Sequence, residues 1–198
     1  MRQTLAAADL VFCANLDAAA LLRHYGFDRP LPIVPAVGVD TEVFTVCSPY
    51  QNPASDAPLL GYVGRFISEK GIDILIQALA ILRRTTIPSA RLRLIGAGPQ
   101  QNLLATQAAE LGIAEAVEFV APLPPTQIAQ AMCAFDVLIL PSRTSSVWKE
   151  QLGRVLLEAM ACGIPVIGSD SGAIPEVIGD AGLIFPEDDA VELAQRVE

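Results

Sequence analysis

Short apolar runs alternate along the chain with longer stretches in which apolar residues recur every three or four positions. The runs at residues 10–14, 31–34, 59–64, 92–95, 117–120, 137–140, 165–168 and 183–185 predict strands. Between the third and fourth of these, Ile72, Leu75, Ile76, Leu79 and Leu82 form one apolar stripe at helical spacing. Further helices are expected at 100–111, closed by Gly112, at 125–134, at 152–162, stopped by Gly163, and from Asp189 onward.

Strands alternating with helices imply right-handed crossovers and a mostly parallel sheet. The run Val137-Leu138-Ile139-Leu140 is apolar on both faces, as a strand covered by helices on both sides requires. The expected architecture is therefore an α/β, Rossmann-like three-layer domain. Ligands of such sheets bind at the carboxyl ends of the strands. The loops at 64–71, 96–99, 121–125, 141–153 and 169–175 are the ones to inspect. Residues 44–58 are rich in Pro, Ser, Asn and Asp without periodicity and read as an exposed linker or long loop. Residues 9–27 read as a strand and a helix before it. Residues 1–40 are thus expected to be the tail of an N-terminal domain plus an interdomain linker, and 41–198 a ligand-binding domain. The last helix has no stop signal, so that domain is expected to be truncated at its C-terminus.

Composition narrows the ligand classes. Hydrophobic residues make up 52% of the 198, enough for a folded core. No apolar stretch reaches the roughly 18 residues of a membrane span, and no signal peptide is visible. A cytoplasmic protein is expected, with any membrane association residing in a separate N-terminal domain. The formal net charge of −9 opposes nucleic acid and anionic membrane surfaces. An anionic ligand then needs a local basic site, and only two lysines exist, Lys70 and Lys149. Cys13, Cys47, Cys133 and Cys162 share no short ligand spacing, and His24 stands alone. Neither a metal site nor a disulfide is expected.

Three stretches carry chemistry. In 64–71 (Gly-Arg-Phe-Ile-Ser-Glu-Lys-Gly), glycines bound a loop that holds Arg65 and Lys70 at the ligand end of the sheet. Two cations there can hold a diphosphate; a solvated turn is the equal alternative. Gly96-Ala97-Gly98-Pro99 begins like a dinucleotide fingerprint, but Gln101 stands where its third glycine belongs. A tight turn near a ligand and a purely structural turn remain open. In 148–161, Glu150 and Glu158 are separated by seven residues. An all-helical path would set them about 12 Å apart, at roughly 1.5 Å per residue. Between them a helix begins, and its free N–H groups suit phosphate. Carboxylates accept from sugar hydroxyls, and Glu158, flanked by Leu156, Leu157 and Met160, is expected to be partly enclosed.

Taken in order, these pieces, with residues 35–40 (Pro-Ala-Val-Gly-Val-Asp), Phe135-Asp136 through Ser142, the Ala159-to-Ile167 stretch and Ser171 to Glu176, resemble a known family. The chain is similar to the C-terminal, donor-binding domain of retaining glycosyltransferases of family 4, also called glycosyl transferases group 1, which have the GT-B fold. The resemblance implies that Arg65 and Lys70 hold the diphosphate of a nucleotide diphosphate sugar. It implies that Glu150 contacts the transferred hexosyl group and Glu158 the ribose, with Gly64, Gly96 and the backbone of Gly153, Arg154, Val155 and Leu156 around the donor. No metal is implied, and no D-x-D motif is present. Leu152 stands where many relatives have Phe, and Arg154 where an apolar residue is common. The N-terminal domain that builds the acceptor site in this family is expected to be missing here apart from its tail, and turnover is expected to require it. A non-catalytic nucleotide-sugar binding module is the alternative; a nicotinamide oxidoreductase is disfavoured by the broken glycine pattern. The residues name neither the base, the sugar nor the acceptor.

Overall fold

The computed structural model describes residues 2–35, 37–47 and 57–198. In chain order the helices and strands are α1 (Arg2–Ala7), α2 (Leu16–His24), β1 (Leu59–Val63), α3 (Ile72–Arg84), β2 (Arg91–Ile95), α4 (Gln101–Glu110), β3 (Val117–Val120) and α5 (Pro125–Met132). They continue with β4 (Val137–Leu140), α6 (Arg154–Ala161), β5 (Val166–Ser169), α7 (Ile174–Ile178), β6 (Leu183–Phe185) and α8 (Ala190–Val197).

All the pairings are parallel, and the six strands lie in the order β3-β2-β1-β4-β5-β6. The central strands β1, β4 and β5 have both faces covered, with Leu59, Leu60, Leu138, Ile139, Val166 and Ile167 buried, whereas β2 buries Leu92 and Leu94 on one face and leaves Arg91 exposed on the other. The helical stripe of α3 is buried throughout, as its spacing predicts. On one side α3 packs on α4 and α8; α5, α6 and α7 pack in series elsewhere. The direction of winding reverses between β1 and β4, which are neighbours although two strands separate them in sequence. Such a reversal leaves a crevice where the two chain exits diverge. The loops after β1 and β4 are the two that carry Arg65, Lys70 and Glu150.

The expected strands at 10–14 and 31–34 shrink to a single parallel bridge, Cys13 with Ile33. Each has only the other for a partner, and Leu10, Phe12 and Val34 stay exposed, so no sheet face rewards extending the pairing. Helices α1 and α7 were not expected; α7 is short and starts beside Pro175. The helix expected from 152 begins at Arg154, after Gly153. Residues 48–56 of the expected linker, and Ala36 in the 35–40 motif, lie outside the described residues.

The expectation of no disulfide is overturned. Cys47 and Cys133 form a disulfide across a sequence separation of 86. Their spacing gives no local sign of it. The pairing arises because the Cys47 amide donates to the Cys162 carbonyl at 3.1 Å, beside α6, while Cys133 caps the neighbouring α5. Closing so long a loop restricts the unfolded chain, worth roughly 4.5 kcal/mol on the loop-entropy account. Cys133→Ser, or addition of a reductant, is expected to lower the unfolding free energy by a few kcal/mol. Urea unfolding of the oxidised and reduced chain measures it.

Candidate functional site

The crevice between β1 and β4 opens into a cavity of about 330 Å³. Arg65, Lys70, Glu150 and Glu158 all line it, with Gly64, Gly153, Arg154 and Val155. A second, more apolar cavity of about 240 Å³ adjoins it, sharing Val63, Gly64, Arg65 and Ile128 and adding Gly96, Pro122 and Leu123. The candidates from three separate loops are thus brought together around one space. Leu156 is the exception. It is wholly buried, and its amide donates to the Gly153 carbonyl at 2.8 Å, so it supports the cavity from below.

Local structure explains each placement. The loop after β1 ends in a 3-10 turn, Ser68–Lys70, that points Lys70 back across the crevice. Its Nζ lies 2.5 Å from Glu150 Oε2, with only 14% and 11% of the two side chains exposed. Glu150 Oε2 also accepts from the Ser142 hydroxyl at 3.0 Å, and Oε1 from the Gly153 amide at 3.3 Å. An enclosed carboxylate is tolerated when it is paired and hydrogen-bonded in this way. Lys70 Nζ also stands 5.2 Å from the centroid of the Trp148 ring, within cation–π range. Arg65 is exposed, and among the described residues its guanidinium forms no ion pair.

Gly153 caps α6 without a side-chain cap, and the first backbone bond of the turn is that of Leu156. The amides of Arg154 and Val155 therefore precede the intrahelical ladder, and both residues line the cavity. One turn further, Glu158 is enclosed, with Arg154 Nε 3.0 Å from its Oε1. Burial raises the Glu158 pKa above the ordinary carboxylate value, and the neighbouring Arg154 opposes this only in part. Three cations (Arg65, Lys70 and Arg154) and two carboxylates (Glu150 and Glu158) line the cavity, with the helix N-terminus adding positive potential.

Sequence reading missed Ser142, Tyr62 and Asn15. Ser142, fully buried, is a direct partner of Glu150; its position after an apolar strand, at the ligand end, was the available signal. Tyr62 lies buried under the β1 exit and donates to the Arg65 carbonyl at 3.0 Å, fixing the start of the cation loop. Its pKa is pushed far up, chiefly by burial and further by the charge of Glu150. Among the described residues no cluster of three or more His, Cys, Asp or Glu can hold a metal ion. No helix among them is long and apolar enough to cross a membrane.

Comparison with known proteins gives consistent results. Residues 48–198 match the family described as glycosyl transferases group 1. The chain is 39% identical over 182 residues to a GDP-mannose-dependent alpha-(1-6)-phosphatidylinositol monomannoside mannosyltransferase of Mycolicibacterium smegmatis, covering 87% of this chain and 47% of that protein. Among solved structures, sucrose-phosphate synthase from Thermosynechococcus elongatus superposes with a TM-score of 0.81 at 29% identity, covering 99% of this chain and 50% of that one. Anabaena HepE in complex with UDP gives 0.78 at 25% identity, covering 95% and 52%. The chain spans about half the length of the curated relatives it matches.

Proposed function

Because the chain belongs to the glycosyl transferases group 1 family, we propose that its crevice holds a nucleotide diphosphate sugar and that these residues form the donor-binding half of a retaining hexosyltransferase. The observation that carries the reading is the convergence of Arg65, Lys70, the amino end of α6, Glu150 and Glu158 on one cavity. The diphosphate sits between the two cations and over the Arg154 and Val155 amides. Glu158 accepts from the ribose hydroxyls, and the apolar annexe by Gly96 and Leu123 receives the base. Glu150 faces the sugar.

In transfer, the bond between the anomeric carbon and the phosphate oxygen breaks, and its electron pair stays with the departing nucleoside diphosphate. The acceptor hydroxyl oxygen bonds to the same carbon, on the face the diphosphate leaves, and passes its proton to the departing phosphate oxygen. Negative charge grows on the diphosphate, where Arg65, Lys70 and the helix terminus already aim positive charge. This arrangement asks for no metal ion. The acceptor site belongs to an N-terminal domain of which residues 1–40 are the tail and linker, and turnover requires that domain.

Calorimetric titration of the chain with GDP, UDP and ADP tests the reading. Saturable binding of one nucleotide supports it and names the base; GDP appears in the name of one relative and UDP in the structure of another. Binding of none at millimolar concentration contradicts it.

Glu158 adds a pH-dependent prediction. Its folded-state pKa is raised, so its stability contribution is complete below the ordinary carboxylate range and is lost as pH rises through the folded value. Glu158→Gln is therefore expected to make the free chain more stable at neutral pH and to flatten its melting temperature against pH. The same change weakens nucleotide binding about tenfold or more, because an ionised acceptor to the ribose is gone. Melting curves across pH, beside a titration, check both halves.

A further inference from the structure

The loop from β4 to α6 is long and irregular, yet it presents Glu150 with little freedom. Part of the reason lies outside the residues that match the family. Asn15 is 2% exposed, and its side-chain amide donates to the Gln151 carbonyl at 2.7 Å, while its Oδ1 caps α2 by accepting from Ala18 N at 2.8 Å. Two residues on, the Asp17 carboxylate pairs with Lys149 Nζ. Between them, the Leu16 amide donates to Glu176 Oε2 of α7 at 3.1 Å.

Residues 149 and 151, on either side of Glu150, are thus held by one short segment. The backbone of Glu150 itself is held from the other side. Its carbonyl accepts from the Ala173 amide at 2.9 Å, and Gly172 lies so close that any side chain there would overlap that carbonyl oxygen. Gripped on both sides, the loop leaves the Glu150 carboxylate to Lys70, Ser142 and the Gly153 amide. The two contacts from the N-terminal segment are unequal. The Asp17–Lys149 side chains are 39% and 40% exposed, a setting in which ion pairs contribute little. The Asn15 bond is enclosed and short, so it carries the hold.

We propose that Asn15 is a positioning residue for the Glu150 carboxylate, through which the segment ahead of the sheet sets the grip on the sugar rather than on the nucleotide. The proposal rests on the reading above, in which Glu150 meets the sugar and Glu158 with the α6 amides meet the nucleotide. A carboxylate that must meet a particular hydroxyl tolerates only small displacement, so its supporting contacts matter as much as its own.

The test uses the full chain with Asn15→Asp, which keeps an oxygen to cap α2 but turns the donor into an acceptor facing the Gln151 carbonyl. Asn15→Ala and Asp17→Ala serve as companions. Each is titrated with the nucleoside diphosphate that the chain binds and with the corresponding nucleotide sugar, and exchange of the loop amides at 151–153 is followed. For Asn15→Asp, affinity for the nucleotide sugar is expected to fall about fivefold to tenfold, that for the nucleotide less than twofold, and the loop amides to exchange faster. Asp17→Ala is expected to change either affinity less than twofold. An equal loss of both affinities for Asn15→Asp, or no change in the ratio or in the exchange, overturns the proposal. A wild-type chain that binds no nucleotide overturns the donor reading itself; wild-type binding with an unaltered ratio in the variant overturns only the role of Asn15.

Discussion

Lys70→Ala is expected to remove measurable nucleotide binding, by about 10- to 100-fold in affinity, and to destabilise the free chain as well. The two effects have different origins. In the proposed complex Lys70 is one of two cations on the diphosphate. The other lysine, Lys149, is engaged with Asp17 and does not line the cavity, and Arg154 is paired with Glu158, so only Arg65 is left as an unpaired cation there. In the free chain Lys70 is the partner of Glu150, and both side chains are largely enclosed. Its removal leaves a carboxylate with only a hydroxyl and an amide, a loss that reaches about 3 kcal/mol when a buried charge is left uncompensated. The double variant Lys70→Ala/Glu150→Gln separates these effects. It is expected to regain most of the stability and none of the binding, as read by urea unfolding beside titration.

Gly71→Ala is expected to be among the most damaging single methyl additions in the domain, costing about 3 kcal/mol or more and disabling the site. Gly71 stands at φ 61°, ψ 23°, closing the turn of Lys70 and opening α3. A left-handed alanine costs roughly 1–2 kcal/mol in itself. The larger part comes from position: a Cβ here would lie inside the envelope of the Pro141 carbonyl oxygen, at the exit of β4. Either that exit or the turn must move, and both carry the Lys70–Glu150 pair. Gly112→Ala supplies the comparison, since Gly112 has φ 71° but an added Cβ would meet nothing within 4 Å. It is expected to show the backbone cost alone, so the difference between the two unfolding free energies isolates the close approach.

These expectations depend on contacts of very different legibility. The six strands of the sheet and the α3 stripe could be read from short apolar runs, buried on both faces in β1, β4 and β5, and from a helical repeat in α3. Arg65, Lys70, Glu150 and Glu158 could be read as candidates because strand-end loops are where a parallel sheet meets its ligand. That they share one cavity depends on the winding reversal between β1 and β4, which no local pattern displays. The Cys47–Cys133 pair, the Asn15–Gln151 contact and the Ser142–Glu150 bond were hidden for the same reason: at least one partner in each looks ordinary in its own surroundings. Leu156 does not line the cavity: a helix turns by about 100° per residue, so its side chain points into the core while Val155 and Glu158 line the crevice. The runs at 10–14 and 31–34 resembled strands because composition cannot show whether a neighbouring strand is present.

The most direct test of the donor reading is the structure of this chain with its preferred nucleoside diphosphate bound. The expected result is the diphosphate over the Arg154 and Val155 amides, between Arg65 and Lys70, with the ribose on Glu158. Ligand at the opposite end of the sheet, in the cavity of about 290 Å³ bounded by Pro58, Ile87 and Arg196, or in the crevice but clear of Lys70 and Glu158, would contradict it.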